Sequence, residues 1–560
     1  MELMYRYVNF THFNDSYISK SAVLKMLVVI FSCVISVVHF EGFYYQYNYP
    51  KWVVFDSFCI LLVIYAIRSL PSIKLNVIGF AIGFLALYML ITLAWAPNIF
   101  ESALFICRFL AFTLSIYILI SSFSKEKLLS VMTDGVFYAS IVFSAATIYE
   151  RYWLGNAYSS SNFSPIGFVN YLGHVLNIWI PILVLSIYNK RKSLPHLLLG
   201  LISLAFLMHL LVESNTRGTI LGLLFAEIIV ICVILLKTKK VPIKYLSISA
   251  AFLGAVVSYS AIDELGFSKL ETQLKLIQSL DTGRDKLFLN TIDMIKDNPY
   301  GVGVNNFEYI HQKYAKAGTE ESSPYITELS ILRTPYNILL KFYSELGFIG
   351  GSLFLVIFGL VFIQALHNLL KGDYIDAWIF MAVFSLYFHS MFSSVFLTPV
   401  SLFFSILLFS FLLSRRGFFI KSAVSFRIKP VFLCLPLVIF LGYLSTLKTV
   451  SGNLTSTGYR IGDTDKVQSA LDMNPHDYFA ALRLFDLYLI KERNAEQALK
   501  SLEHAIKLYP YNLYMLIRAA EASAQLGLNN KAEMYKARAL AINPNNTQAL
   551  SVNTGGKLRE

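Results

Sequence analysis

The sequence predicts an all-α, polytopic membrane protein of about thirteen transmembrane helices that ends in a helical-repeat domain. Three observations carry that prediction. Of 560 residues, 56% are apolar and only 15% charged, whereas a soluble domain carries about a quarter charged residues. Apolar runs of about 20 residues, the length needed to cross the hydrocarbon, recur along most of the chain. Beyond them an Ala-x-x-x-x-Pro motif returns at Ala470, Ala505 and Ala539, about 34 residues apart.

Taken in order, the expected spans lie near 23–40, 52–70, 76–95, 102–121, 130–149, 171–188, 196–213, 218–236, 244–260, 345–367, 376–394, 397–414 and 430–447. The first begins near Val23 without a small-residue cleavage site, so it reads as a retained helix. A net charge of +12 raises nucleic acid as a partner, but the basic residues cluster on alternate turns. These clusters are Arg68/Lys74, Lys125/Lys127, Lys190 to Lys192, Lys237 to Lys244, Lys371 and Arg415 to Lys429, against Lys51, Arg151 and Arg217 in the opposite short loops. The positive-inside rule then puts the N-terminus in the cytoplasm and, with an odd number of spans, the C-terminus outside. The basicity is topological, and no nucleic-acid partner is expected. Cys33, Cys59, Cys107, Cys232 and Cys434 lie within apolar runs without CxxC spacing, so neither a disulfide framework nor a zinc site is predicted.

The expected organisation is therefore 1–261 with helices one to nine, 262–335 as a large outer loop, 336–450 with helices ten to thirteen, and 451–560 as an outer helical domain. The tail's period is that of tetratricopeptide repeats, paired helices stacked into a small solenoid. Such surfaces hold peptides or neighbouring domains, which predicts a protein partner.

Charge at membrane depth is costly and asks for a reason. Arg217, in Glu213-Ser214-Asn215-Thr216-Arg217-Gly218, stands at the outer end of the eighth span, where a guanidinium can reach a lipid-linked phosphate. Arg284 lies in Thr282-Gly283-Arg284-Asp285, ahead of a helical stretch to about Lys296. Next comes Asn298-Pro299-Tyr300-Gly301-Val302-Gly303, whose proline and glycines permit a tight turn. Thr334-Pro335-Tyr336-Asn337 closes the loop and runs into Glu345-Leu346-Gly347-Phe348-Ile349-Gly350. Arg108, Asp56 and Glu227 lie within spans, Arg108 near enough to the outer face to join a phosphate site or to reach the interface. Arg151, beside Glu150 among aromatics, reads as an exposed interfacial ion pair.

In this order the motifs resemble the O-antigen ligase and polymerase family of membrane glycan transferases. That family has a Ser-Arg-Gly-like turn, a Gly-Arg segment opening a large periplasmic loop, an Asn-Pro-x-x-Gly-x-Gly turn and a Pro-His-Asn…Glu-x-Gly-x-x-Gly segment. Here these are similar to Thr216-Arg217-Gly218, Gly283-Arg284, Asn298 to Gly303, and Pro335-Tyr336-Asn337…Glu345 to Gly350. Gly167 to His174 resembles the family's Gly-x-x-Asn-Tyr-Leu entrance into an earlier span.

The resemblance implies a GT-C-like fold in a bacterial inner membrane, with the C-terminal domain periplasmic. It implies transfer of a glycan from an undecaprenyl-diphosphate carrier to a hydroxyl of lipid A core, of a protein or of another glycan, with ligase-type transfer ranked first. Arg217, Arg284 and Arg108 are the candidate diphosphate ligands, and no metal or other cofactor is expected, because guanidinium forks stabilise a leaving diphosphate by themselves. Asn298, Gly301, Gly303 and Asn337 are the candidate substrate-loop residues. Where the family pattern carries His, this chain has Tyr336, and a phenol of ordinary pKa near 10 is a poor base. The catalytic candidates are therefore Tyr336 as an acceptor-holding hydroxyl and His174 or Glu213 as proton carriers. A transporter and a non-catalytic assembly scaffold are the rival classes.

Overall fold

A computed structural model describes residues 21–40, 45–69, 73–75, 77–155, 159, 162–239, 246–262, 284–322, 332–415 and 426–553. The expectations placed on Gly283 and on the basic residues Lys240, Lys244, Arg416 and Lys421 lie outside them.

The membrane half runs through α1 (Ser21–Val37), α2 (Tyr49–Ser69), α3 (Val77–Thr92), α4 (Ile99–Ser122), α5 (Lys125–Ile148), α6 (Val169–Asn189), α7 (Leu194–Ser214), α8 (Arg217–Thr238) and α9 (Ser247–Ile262). The outer loop supplies α10 (Arg284–Asp297) and α11 (Phe307–His311), after which α12 (Ile338–Lys371), α13 (Tyr374–Ser390), α14 (Pro399–Ser414) and α15 (Pro430–Ile461) follow. The tail consists of α16 (Thr464–Met473), α17 (Tyr478–Ile490), α18 (Ala495–Leu508), α19 (Leu513–Gln525), α20 (Asn529–Ile542) and α21 (Thr547–Ser551). Among the described residues one antiparallel ribbon interrupts the helices: β1 (Ile73–Leu75) pairs with β2 (Phe426–Ile428), with Lys74 opposite Arg427.

Among the described residues, eight helices are long and apolar enough to cross a membrane, and four shorter apolar helices accompany them. The shorter α13 coincides with another expected span. Burial sorts the helices into layers. The spanning window of α6 is 83% buried, whereas those of α12 and α15 are 28% buried and turn residues such as Val356, Ile439 and Phe440 outward. The site described below hangs on the central helix, α6.

Local chemistry sets the helix ends. The Asn98 side chain accepts from Glu101 N and starts α4, Asn337 caps α12 by accepting from Leu339 N and Leu340 N, and Asp373 and Asp376 form a capping box on α13. Asn215, with φ 56°, ends α7 in the left-handed conformation, so α8 begins only two residues later at Arg217. Lys51, expected in an outer loop, is instead buried on α2, where it donates to the Val38 and Pro165 carbonyls at 2.6 Å each. Glu227, buried in α8, accepts from Ser249 N at 3.3 Å and from the Ser249 hydroxyl.

The boundary expected at 450 falls inside α15, which runs unbroken from Pro430 to Ile461 and carries the last apolar helix directly into the tail. In the tail, Pro475, Pro510 and Pro544 each fall just beyond a helix end, where a missing N–H costs nothing. Ala470, Ala505 and Ala539 are fully buried where neighbouring helices pack. The loop docks on both halves. Tyr309 of α11 joins the tail's core and meets Tyr478 and Tyr509 edge-on, while Asn306 Oδ1 accepts from Asn98 N at 2.8 Å.

Candidate functional site

The segment 389–393, at the C-terminal end of α13, is where the separated motifs meet. Gly218, one residue into α8, lies so close to the ring of His389 that a Cβ there would stand 2.4 Å from His389 Cδ2. Arg284, the first residue of α10, donates from Nη1 to the Phe392 carbonyl at 2.7 Å, and its guanidinium lies 5.6 Å from the Tyr336 ring centroid. Asn337 donates from Nδ2 to the Met391 carbonyl at 3.2 Å. His174 of α6 shares a hydrogen bond of 2.7 Å between Nε2 and Ser393 Oγ, and its ring centroid lies 5.0 Å from that of His389. Gly218, Arg284, Asn337 and His174, spread over more than 160 residues of sequence, thus meet at one short segment, with Arg217 next to Gly218 in the chain and Tyr336 against Arg284.

The helices approach this closely because their contact faces are small. A Cβ on Gly173 would stand 2.7 Å from Thr219 Oγ1, and one on Gly222 would stand 3.0 Å from the Ser385 carbonyl. Thr219 Oγ1 donates to the Gly173 carbonyl at 2.9 Å, tying α8 to α6.

Neither Arg217 nor Arg284 pairs with an acid among the described residues. Arg217 makes no ion pair or hydrogen bond among the described residues, and the buried Arg284 Nε has no acceptor. Buried N–H groups are normally satisfied, so Arg284 Nε stands as a donor still open to an acceptor. Glu213, four residues before Arg217, does not neutralise it, because Arg151 Nη1 holds Glu213 Oε2 at 2.6 Å. Arg151 also donates to the Phe163 carbonyl at 3.0 Å, so the exposed Glu150–Arg151 pair expected from the sequence gives way to a partly buried tie between the Arg151 turn and α7.

His389 was not anticipated from the sequence, and its tautomer follows from its neighbours. Ser385 Oγ donates to Asn177 Oδ1 at 2.5 Å, which turns the Asn177 amide nitrogen toward His389 Nδ1 at 2.9 Å. With Asn177 as the donor, Nδ1 accepts and the ring proton falls on Nε2, the nitrogen beside Gly218; Thr219 Oγ1 stands 3.1 Å from Nδ1 with its own proton on the Gly173 carbonyl. In that tautomer His389 turns an N–H toward Gly218.

Tyr336 has φ 56°, a left-handed conformation unusual for an aromatic residue. That conformation lets the chain turn from Pro335 into the Asn337 cap while the ring stays against Arg284. The proposed substrate-loop glycines pack against α12. Val302 N donates to the Ser344 carbonyl at 3.1 Å, Gly303 N to the Glu345 carbonyl at 3.0 Å, and Phe348 N to the Pro299 carbonyl at 2.9 Å. Gly347 breaks the α12 backbone at φ 62° to receive this turn, and the turn side contributes Gly301 at φ 81°. Asn298 donates to the Met294 carbonyl at 2.8 Å and to Tyr314 OH at 3.1 Å. Below the turn, Lys341 and Glu345 form a fully buried ion pair whose carboxylate also accepts from Asn305 N and Phe307 N.

Arg108 sits elsewhere. It is held by Asp56, with Nη2 to Oδ2 at 2.7 Å, stacks 3.9 Å over Trp52, and lines a separate cavity among α2, α4, α12, α14 and α15.

Fold and site together describe a many-helix membrane protein in which the motif-bearing helix ends meet around 389–393. Residues 199–355 match the family model described as O-antigen ligase. The matched segment holds Glu213, Arg217, Arg284, Asn298, Gly301, Gly303, Tyr336 and Asn337, and leaves out His174 and His389. The match supports a membrane protein of the glycan ligase or polymerase type. No curated protein matches the chain.

Proposed function

We propose that this protein transfers a glycan from an undecaprenyl-diphosphate carrier to an acceptor hydroxyl at the periplasmic face of a bacterial inner membrane. The observation that carries the reading is the pair Arg217 and Arg284, which border the 389–393 segment without carboxylate partners among the described residues. In such a transfer the acceptor oxygen bonds to the sugar's anomeric carbon while the bond to the diphosphate oxygen breaks. The electron pair leaves on the diphosphate, and its growing charge is met by two guanidinium groups and the His389 Nε2–H. The acceptor's proton passes to His174 through the Ser393 hydroxyl that bonds it, and Tyr336 orients the acceptor.

The chain crosses the membrane about thirteen times in this reading, with the N-terminus cytoplasmic. The tail is a tetratricopeptide-type platform for a protein partner or a macromolecular acceptor. Among acceptors, lipid A core ranks first, with protein and repeat-unit glycan next. The test offers all three to the purified protein with its lipid-linked donor. Product on one of them names the acceptor. A folded protein that transfers to none of them rejects the enzyme reading in favour of an assembly role.

A further inference from the structure

A cavity separate from the arginine junction lies among α2, α4, α12, α14 and α15. It has a volume of about 360 Å³, within the range of small-molecule sites, and runs down α4 from Glu101 past Arg108, Phe109 and Phe112 to Ile116. At 1.5 Å per residue this wall is about 22 Å long, the reach of an extended lipid chain. Its apolar wall is made by Leu85, Phe105, Phe342, Phe354, Phe358 and Phe409. The outer part is polar, and the tail roofs it with Asn474, His476, Asp477 and Tyr478. The roof is fixed in place: Asn98 Nδ2 donates to the His476 carbonyl at 3.0 Å, and Tyr309 packs edge-on against Tyr478.

Charge at the outer end argues about the occupant. Each cation there already has an acid: Arg108 with Asp56 at 2.7 Å, Lys448 with Glu101, and Arg333 with Glu308 at 3.6 Å. Asp477 adds a carboxylate that has no ion-pair partner among the described residues and uses Oδ1 to cap α17. A phosphate headgroup would therefore meet no surplus of positive charge, in contrast to the Arg217 and Arg284 junction. Carboxylates, the amide of Asn48 and the rings of Tyr45, Tyr49 and Trp52 instead suit an uncharged group rich in hydroxyls, which such acceptors bond and such rings stack upon.

We propose that this cavity is a second lipid site, roofed by the C-terminal helices, that takes a long-chain amphiphile with a neutral, sugar-like headgroup. The site goes beyond the transfer reading and stands whether or not the arginine junction binds a diphosphate.

The test uses the full-length protein in lipid nanodiscs and a long-chain alkyl glucoside bearing a diazirine near the chain end, photolysed and mapped by peptide mass spectrometry. Label is expected on the stretches containing Phe105 to Phe112 and Phe354 to Phe358. An unlabelled neutral alkyl glycoside is expected to compete at about tenfold lower concentration than a phosphatidylglycerol or an isoprenyl phosphate of similar chain length. Thr113→Phe, which fills the deep part away from the tail, is expected to remove the label, Thr113→Ser to keep it, and Arg217→Ala to leave it unchanged. Asp477→Asn with Tyr478→Phe is expected to narrow the headgroup preference to less than about threefold while the chain end still labels. Label confined to the lipid-facing stretch around Ile439 and Phe440, or equal competition by the anionic lipids, overturns the proposal. Label that survives Thr113→Phe does so as well.

Discussion

Replacing Gly218 with alanine tests whether the close packing of α8 on His389 is what aims Arg217. The new Cβ would lie 2.4 Å from His389 Cδ2 and 2.9 Å from Nε2, whereas non-bonded carbons rest about 3.5 to 4.0 Å apart. About 1 Å must be found. The imidazole is poorly able to yield it, because Asn177 Nδ2 holds Nδ1 at 2.9 Å and Thr219 Oγ1 stands 3.1 Å from the same atom. The N-terminal turn of α8 therefore backs away and takes Arg217 with it. Overpacking of this kind costs about 1 to 3 kcal/mol, and a misplacement of about 1 Å costs up to about 100-fold in rate. The assay compares thermal midpoint and transfer rate in nanodiscs for wild type, Gly218→Ala and the double variant Gly218→Ala with His389→Ala. The single variant should lose both midpoint and rate. The double variant, with the ring gone, should recover midpoint but not rate, since the Nε2 donor is lost too. Gly218→Ala with an unchanged midpoint and an unchanged rate would refute the reasoning.

Four further outcomes are expected. Gly347→Ala places a Cβ 2.2 Å from the Pro299 carbonyl at φ 62°, so the 298–303 turn should come off α12 and be cut by protease about tenfold faster; equal cleavage would contradict the packing described. Lys341→Met leaves Glu345 buried without its cation and should destabilise by about 3 to 5 kcal/mol, most of it recovered when Glu345→Gln is added, as denaturant unfolding would show. His311, whose imidazole burial pushes down to about 4, contributes stability that is present above its ordinary value near 6.5 and lost as pH falls through 4. The full shift corresponds to about 3 kcal/mol, so hydrogen exchange of 307–315 should quicken on acidification between those values in wild type and stay flat in His311→Gln; parallel profiles would dismiss it. Tyr336→Phe keeps the ring against Arg284 and removes only the hydroxyl, so turnover should fall about tenfold or more, and an unchanged rate would mean the hydroxyl orients nothing.

Much of this architecture is legible in the sequence because its causes are local. Apolar runs with basic turns announce most of the helices, and the repeat prolines at 475, 510 and 544 mark helix ends since proline has no N–H to give. The glycines of the 298–303 motif read correctly as a tight turn, but only the fold reveals its partner, the break in α12 at Gly347. Pairings across long stretches leave no local trace: Arg151 with Glu213 and Arg108 with Asp56 had to await the folded chain. His389 was missed because a single histidine at the end of an apolar run looks like packing. Its one sequence signal is that its expected span ends on the same outer face as Arg217 begins, which places the two at one depth.

The central claim is that Arg217 and Arg284 stabilise a leaving diphosphate, and single-turnover transfer from a purified undecaprenyl-diphosphate glycan tests it most directly. Arg217→Ala and Arg284→Ala should each lower the rate about 100-fold or more, and the double variant should lose far less than the product of the two, because both act on one leaving group. Two folded variants that transfer at the wild-type rate would contradict the account.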